Sequence, residues 1–399
     1  MINKGPRNRI GKVFNRGVSE ETVRNSLLDM RKAKGLTQSE LATRAGLTRQ
    51  ALYAIECNHY LPSTSIALRL AKVLGCRVED LFSLPGDEVI READLLSTHS
   101  LQNYPFRVKV AKVGDRLIAR PLSELGDYLN FVVPADGIAT GPAPRKPGKA
   151  AQRVQVNFLY EPEVIEKKIL IAGCDPSVFL AGEHVRHLHA MTGVTNWTMG
   201  STIALKALLQ NEVHIAGIHL VDARTGESNL PYLKRHVQGK DFLGIRFASW
   251  VQGLLFPREN PKGIRSVEDL GKPGIRLVNR EGGSGARLLL DTLLKKAGIS
   301  GQKIKGYEYE VSSHLEVARL IREGVADAGI GVESVARHYG LGFIPLRDEH
   351  YDLILRKAVL ASHPFISRLF DAMLSRPFRR ELQALGGYNL GDSGKSLEW

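Results

Sequence analysis

Cysteine is scarce in this chain of 399 residues, which has three: Cys57, Cys76 and Cys174. None stands in a CxxC pair or another metal-ligand spacing. A disulfide framework is therefore excluded, no metal site is expected, and a reducing compartment is the natural home. Long apolar runs are missing as well, and nothing approaches the roughly 20 residues that a bilayer-spanning helix needs. The opening MINKGPRNRIGKVFNRG has positive charge but no apolar core, which argues against a secretory signal. A cytoplasmic protein with no membrane partner is expected. Aromatic residues make up 7%, and Trp197, Trp250 and Trp399 are too scattered to form a stacking platform. Acid is in deficit too: 55 Lys+Arg face 42 Asp+Glu, a net +13 that points to a polyanionic partner. What is present, 43% hydrophobic and 24% charged residues, is the composition of a folded globular chain.

The excess of base is uneven. Residues 1–90 hold 14 Lys+Arg against 9 Asp+Glu, residues 91–160 hold 10 against 6, and residues 161–399 hold 31 against 27. The first 160 residues carry +9 and the other 239 only +4. The length exceeds one ordinary domain. Four segments are expected: a basic arm over 1–20, an all-α head over 21–84, a small β-rich connecting module with a linker over 85–160, and an α/β domain over 161–399.

Residues 20–82 read as consecutive short helices. Thr37-Gln38-Ser39-Glu40 is a capping box that opens a helix through Ala45. Gly46 breaks it, Thr48 can cap a third helix to about Glu56, and Pro62-Ser63 and Val78 open a fourth and a fifth. In QSELATRAGLTRQALYAI (38–55), small Ala42 suits a close approach of two helices and Gly46 a permissive turn. Leu52 and Ile55 anchor the second helix on the first. This is helix-turn-helix geometry, in which the second helix enters the major groove. Arg49, Gln50 and Tyr53 fall on its outward start, where Arg suits guanine and Gln suits adenine. Thr37, Gln38 and Arg44 are placed for phosphates, with Thr48 at the recognition-helix start. The pattern LTQSELA…GLTRQALYAIE…P…ALRLAKVLGCRVEDLF resembles the Cro/CI-like (XRE) helix-turn-helix family over residues 22–82. The resemblance implies binding to a double-stranded DNA operator as a homodimer or higher homo-oligomer. Lys4, Arg7, Arg9, Lys12 and Arg16 of the arm would then contact phosphates or the minor groove.

YPFRVKVAKV and RLIARPL flank Gly114-Asp115 and predict a hairpin, 141–150 reads as an extended linker, and Val154–Tyr160 as a strand. From 161 onward strands and helices alternate. Strands are expected at 168–173, 194–198, 213–220, 243–248, 250–256, 275–279, 304–311, 326–331 and 343–346. Helices are expected near 176–191, 201–211, 266–270, 285–297, 313–323, 333–339 and 363–385, the last broken before Pro377. Alternation of this kind predicts an α/β fold with largely parallel sheets in two lobes.

Three loops there share one design, a strand running into a polar or Gly-rich turn that opens a helix. They hold Cys174, Asp175 and Ser177; Gly200, Ser201 and Thr202; and Ser284, Gly285 and Arg287. Helix starts expose N–H donors and partial positive charge, so together the loops suggest oxyanion binding in a cleft. Asp175 would repel an anion and reads as a cap, with Pro176 at the first helical position. The GGSGAR loop lacks the Lys-Ser/Thr of a P-loop and the spacing of a dinucleotide fingerprint. AGCDPSVFL, the MGSTIALKALLQ stretch, the NREGGSGARLLLDTLL stretch and ADAGIGVES resemble the periplasmic-binding-protein-like domain related to molybdate-binding proteins, over about 168–391. The resemblance implies a two-lobed α/β type II domain closing on a small anionic ligand, here molybdate or tungstate, with Cys174, Asp175, Ser177, Gly200, Ser201, Thr202, Ser284, Gly285, Arg287, Glu333 and Tyr351 as its contact candidates. Molybdate pockets are typically lined by neutral donors, so charged Asp175, Arg287 and Glu333 are a departure. Arg287 suits a carboxylate or phosphate, which keeps such a metabolite as an alternative.

His184, His187 and His189 cannot converge on one helix face and read as solvated. His214 and His219, five apart in a strand, face opposite sides of the sheet. His219 reads as a buried, hydrogen-bonded residue, with the cleft as its second reading. Neither Ser201 nor Ser284 stands in a recognisable Ser/His/Asp arrangement, so no enzyme is expected, and no cofactor. The reading is a ligand-responsive DNA-binding transcriptional regulator. A buffer or delivery protein whose head docks protein is the alternative from another class.

Overall fold

A computed structural model describes residues 23–83, 89–97, 103–125, 127–144, 152–189, 193–222, 224–237, 241–397 and 399. The basic arm and most of the expected linker (145–150) lie outside them. The chain divides into two compact units, Met1–Val89 and Ile90–Trp399.

In the first unit, β1 (Arg24–Asn25) leads into α1 (Leu27–Ala33), α2 (Gln38–Ala45), α3 (Arg49–Glu56), α4 (Thr64–Leu74) and α5 (Val78–Leu81). β2 (Phe82–Ser83) then returns to pair with β1 in antiparallel register. The capping box forms: Thr37 Oγ1 accepts the Glu40 N–H at 3.2 Å, and Glu40 accepts the Thr37 N–H at 2.8 Å. Gly46 closes α2 at φ +67°, a left-handed turn that favours glycine. Leu27, Leu41, Leu52, Ile55, Leu70 and Leu74 are all 1% exposed or less. Each buried side chain of this size contributes about 1.5–3 kcal/mol, which holds together helices too short to persist alone.

In the second unit, β3 (Ile90–Leu95), β4 (Phe106–Val113), β5 (Arg116–Pro121), α6 (Asp127–Val132), β6 (Gly137–Pro142) and β7 (Gln152–Phe158) come first. The strands close into a barrel in the order β3-β5-β4-β6-β7. The expected hairpin pairs Val113 with Arg116 around Gly114 at φ +60°. Residues 141–142, expected in the linker, end β6 instead.

The α/β part runs through α7 (Pro162–Glu166), β8 (Ile169–Ala172), α8 (Ser177–Leu188), β9 (Val194–Trp197), α9 (Ser201–Leu209), β10 (Ile215–Ile218), α10 (Leu230–His236) and β11 (Phe242–Phe256). It continues through β12 (Asn279–Arg280), α11 (Gly285–Lys296), β13 (Glu310–Val311), α12 (His314–Arg322), β14 (Gly329–Val332) and α13 (Glu333–Tyr339). It ends with β15 (Gly342–Arg356), α14 (Lys357–Ser362), α15 (Ile366–Leu374), α16 (Arg376–Leu385), β16 (Tyr388–Asn389) and β17 (Ser396–Leu397).

The eight-stranded sheet has the order β14-β11-β15-β10-β8-β9, with β16 and β17 also on β11. Within this sheet, among the described residues, only β10-β8 and β8-β9 pair in parallel, so the expectation of a largely parallel sheet is corrected to a mixed one. The reason is the antiparallel ladder of β11 and β15, which runs from Phe242↔Arg356 to Phe256↔Gly342. These two 15-residue strands join the β8–β10 lobe to the β14 lobe. The strands expected at 243–248 and 250–256 are one strand with a bulge between Arg246 and Ala248. The strand expected at 304–311 is corrected to tight turns, Tyr307 N–H to Ile304 O and Tyr309 N–H to Gly306 O, with pairing confined to Glu310–Val311. Gly306 at φ +89° cannot continue an extended strand. The expected final helix breaks at Ser375, one residue from Arg376-Pro377.

Candidate ligand site and DNA-facing helix

On the head, Arg44, Thr48, Arg49, Gln50 and Tyr53 are exposed. Thr48 caps α3 by accepting the Ala51 N–H at 3.1 Å, which fixes where Arg49 and Gln50 leave the helix. Thr37 and Gln38 are committed internally. Thr37 Oγ1 donates to Glu40, and Gln38 Nε2 donates to Glu56 Oε2 at 2.8 Å. Glu56 also receives Arg31 Nε at 2.6 Å, with both side chains 10% exposed or less. Gln38 thereby braces α2 against the end of α3.

The three loops of the α/β part converge through backbone contacts that only small residues permit. A Cβ on Gly200 would lie 3.0 Å from Glu281 Oε1 and 3.1 Å from Ser284 Cα, so the second loop rests on the third. Thr202 Oγ1 donates to the Gly283 carbonyl at 2.6 Å. A Cβ on Gly285 would sit 2.2 Å from the His219 carbonyl oxygen and 2.6 Å from its Nδ1. Ser201, fully buried, accepts the His219 N–H at 3.0 Å. In the first loop, Cys174 Sγ lies 3.1 Å from His219 Nε2.

His219 is therefore the hub. Its Nδ1 lies 2.7 Å from Glu349 Oε2 and 3.1 Å from the Gln252 amide. The ring assignment that fits both neighbours is a proton on Nδ1 donated to Glu349, with the Gln252 oxygen turned inward. His314, the first residue of α12, packs with its ring 5.8 Å from that of His219. Burial works against a charged His219, but the Cys174 sulfur and Glu349 outweigh it and push its pKa up to about 10. Burial, followed by Arg280 and His219, holds His314 well below the usual imidazole range. Asp175 is raised by burial, against the Ser177 N–H (2.7 Å), the Ser177 hydroxyl (2.8 Å) and the Tyr388 hydroxyl (3.0 Å), which all donate to its Oδ1.

Several buried polar atoms here have no hydrogen-bond partner among the described residues: Arg280 Nη1, both ring nitrogens of His314, Asp175 Oδ2 and the Tyr351 hydroxyl. Arg280 is 1% exposed. Its other nitrogens are held by Glu281 (2.9 and 3.0 Å) and by the Val311 and Ser312 carbonyls. The Tyr351 hydroxyl is wedged where Cβ atoms on Gly173 and Gly217 would stand, 2.0 and 1.9 Å away.

Of the residues named from sequence, Cys174, Asp175, Ser177, Gly200, Ser201, Thr202, Ser284, Gly285 and Tyr351 belong to this convergence. Arg287 and Glu333, also named from sequence, stand in ion pairs. Arg287 reaches Asp291 (3.1 Å) and Glu310 (2.7 Å), stacks over Tyr307, and also donates from Nη1 to the Arg280 carbonyl at 3.4 Å. Glu333 pairs with Arg337 one turn along α13. Sequence reasoning missed Gln252, Arg280, His314 and Glu349, which stand in strands and a helix start without a local motif. Their signal was polarity inside apolar segments, as in the lone Gln of SWVQGLLF. His184 does pair, with Glu381 at 2.7 Å, and stays outside the site.

Residues 27–81 match the helix-turn-helix family, and residues 182–373 match the family described as a PBP superfamily domain. The uncharacterized protein YvgK of Bacillus subtilis is 34% identical over 229 residues, 57% of this chain and 73% of that protein. An uncharacterized HTH-type transcriptional regulator of Methanothermobacter thermautotrophicus is 46% identical over 66 residues, 16% of this chain and 96% of that protein. Among solved structures, an ABC-type phosphate transport receptor from Vibrio cholerae is similar at 14% identity, covering 55% of this chain and 99% of that one, with a TM-score of 0.38.

Proposed function

Because the chain belongs to the XRE-type helix-turn-helix family through its head and to the PBP superfamily through its α/β part, we propose that it is a DNA-binding transcriptional regulator that responds to a small oxyanion, molybdate or tungstate. The head reads an operator as a dimer through Arg49, Gln50 and Tyr53. The α/β part takes the anion where its three loops meet and acts by binding, not by turnover.

One observation carries the ligand class: Arg280 Nη1, a cationic donor in a residue 1% exposed, has no protein acceptor among the described residues. Leaving a buried charged donor unsatisfied costs more than about 1–3 kcal/mol, and an anion would relieve that cost. The nearby helix starts at Ser201 and Ser284 supply the same sign of field without a basic patch. Coupling between ligand and operator is expected at about 1–3 kcal/mol, or about 5- to 150-fold in DNA affinity.

The test is titration of the full chain with molybdate, tungstate, sulfate and phosphate, reading thermal stability and operator binding. If none of the four moves either readout, the oxyanion reading fails. A response to phosphate alone would move the effector to a phosphate-bearing metabolite.

A further inference from the structure

The donors around His219 are unusual for an anion pocket. Cys174 Sγ, a ring nitrogen of His219 and a ring nitrogen of His314 all lie within 4.8 Å of one another, and all three residues are buried. Cys174 is 2% exposed, His219 1% and His314 1%. From these three side chains we infer a site for a thiophilic d-block cation of the zinc class, spanning the two lobes of the α/β part.

Four observations converge on it. First, the donor set is sulfur and imidazole nitrogen, which select zinc-class or softer ions over calcium or magnesium, whose ligands are oxygen. Second, the spacing is nearly right. Tetrahedral Zn–S and Zn–N bonds place donors about 3.3–3.6 Å apart, so atoms already within 4.8 Å need an inward shift of only about 1 Å. Third, His219 is oriented for the task. Its Nδ1 is held by buried Glu349 at 2.7 Å, which leaves Nε2 directed at Cys174, the carboxylate–histidine arrangement that fixes a metal-binding imidazole. Fourth, the contact between Cys174 Sγ and His219 Nε2 satisfies those two side chains but leaves His314 unexplained. Both its ring nitrogens are buried without a partner among the described residues, although it is the first residue of a helix packed on β14 and could have faced solvent.

Cys174 follows β8 and His219 follows β10, while His314 opens α12 beside β14. A cation held by all three ties one lobe to the other. Three protein donors also leave a coordination position for a small oxygen ligand, so cation and oxyanion are compatible in one cleft. The inference stands on the three side chains and does not need the oxyanion reading.

The experiment uses the full chain, stripped with a chelator and titrated with Co2+ as a spectroscopic probe, then with Zn2+ in competition. One equivalent per chain is expected, with a thiolate-to-cobalt charge-transfer band in the near ultraviolet and tetrahedral bands in the visible. Cys174→Ser should abolish the charge-transfer band. His314→Gln should weaken Zn2+ by at least about tenfold while keeping that band. Because Cys174→Ser fills a buried position and could fail to fold, His314→Gln and Glu349→Gln, each checked by circular dichroism, serve as the second arm. Absence of stoichiometric Co2+ binding, binding without the charge-transfer band, or unchanged Zn2+ affinity in folded His314→Gln would each overturn the site. A Co2+ response with no effect of molybdate, tungstate, sulfate or phosphate would sink the oxyanion reading and leave this one standing; the converse result would do the opposite.

Discussion

His214 and Lys112 join the barrel to the sheet: the imidazole Nε2 lies 2.9 Å from the Lys112 carbonyl oxygen, while Nδ1 accepts the Leu170 N–H at 3.0 Å. Both contacts are met at once only by the neutral ring, which donates from Nε2. Burial first, then the neighbouring His363, hold its pKa down to about 4 from 6.5, against the pull of the Lys112 carbonyl.

The sign of the pH dependence follows. Between pH 6.5 and 4 the unfolded chain takes up a proton that the folded chain refuses. This stabilisation is therefore complete above 6.5 and is lost as the pH falls toward 4. At pH 5 the loss amounts to about 2 kcal/mol. Denaturant unfolding of the full chain at pH 7 and pH 5 should show a drop of this size for the unit containing His214. His214→Gln, whose amide can serve both contacts without titrating, should shrink it. An equal drop in the variant would assign the effect to other groups.

In the head, Glu56 accepts from both Arg31 and Gln38 in a site where its side chain is 2% exposed. Removing the carboxylate strands a buried guanidinium, which costs about 3–5 kcal/mol in such pairs. Glu56→Ala should lower the melting temperature of the head and with it all DNA binding, specific and nonspecific alike. A variant that melts with the parent would show that Arg31 finds another acceptor.

Arg49 and Gln50 should behave differently, because they are exposed and hold nothing in place. Arg49→Ala is expected to leave stability within about 0.5 kcal/mol and to reduce discrimination at one base position by about 1–3 kcal/mol. Binding to a panel of operator variants reads this directly. Uniform weakening across the panel would mean that Arg49 contacts phosphate.

The legible part of this protein is the part whose structure is local. Thr37 and Glu40 are three residues apart and bond each other, so their capping box could be read without a fold. The starts of α9 and α11 were equally visible as Gly–Ser turns after strands. What stayed hidden depends on long-range pairing. His219 meets Cys174 from 45 residues away and Glu349 from 130, and no spacing rule spans such distances. The strand expected at 343–346 extends to Arg356, and its continuation Arg347-Asp348-Glu349-His350 is polar and carries no strand pattern, yet it pairs with β11. Arg287 shows how a local reading omits partners that the fold supplies. Its place on the first turn of α11 is visible in the sequence, while its ion pairs with Asp291 one turn on and Glu310 from β13 are not.

Gly285 and Gly282 stand in one loop and make opposite predictions. A Cβ at 285 would meet the His219 carbonyl oxygen at 2.2 Å and the imidazole at 2.5 Å, while a Cβ at 282 would meet nothing within 4 Å. The first overlap is with backbone, which cannot swing aside, so α11 would have to withdraw from His219. Gly285→Ala should therefore destabilise the α/β unit by about 1–3 kcal/mol, and ligand-dependent changes should vanish with it. Gly282→Ala should stay within about 0.5 kcal/mol of the parent and keep its ligand response. Urea unfolding of the two variants, with and without ligand, makes the comparison. Equal stability would mean that the third loop does not press on His219, and the convergence of the three loops on that residue would lose its support.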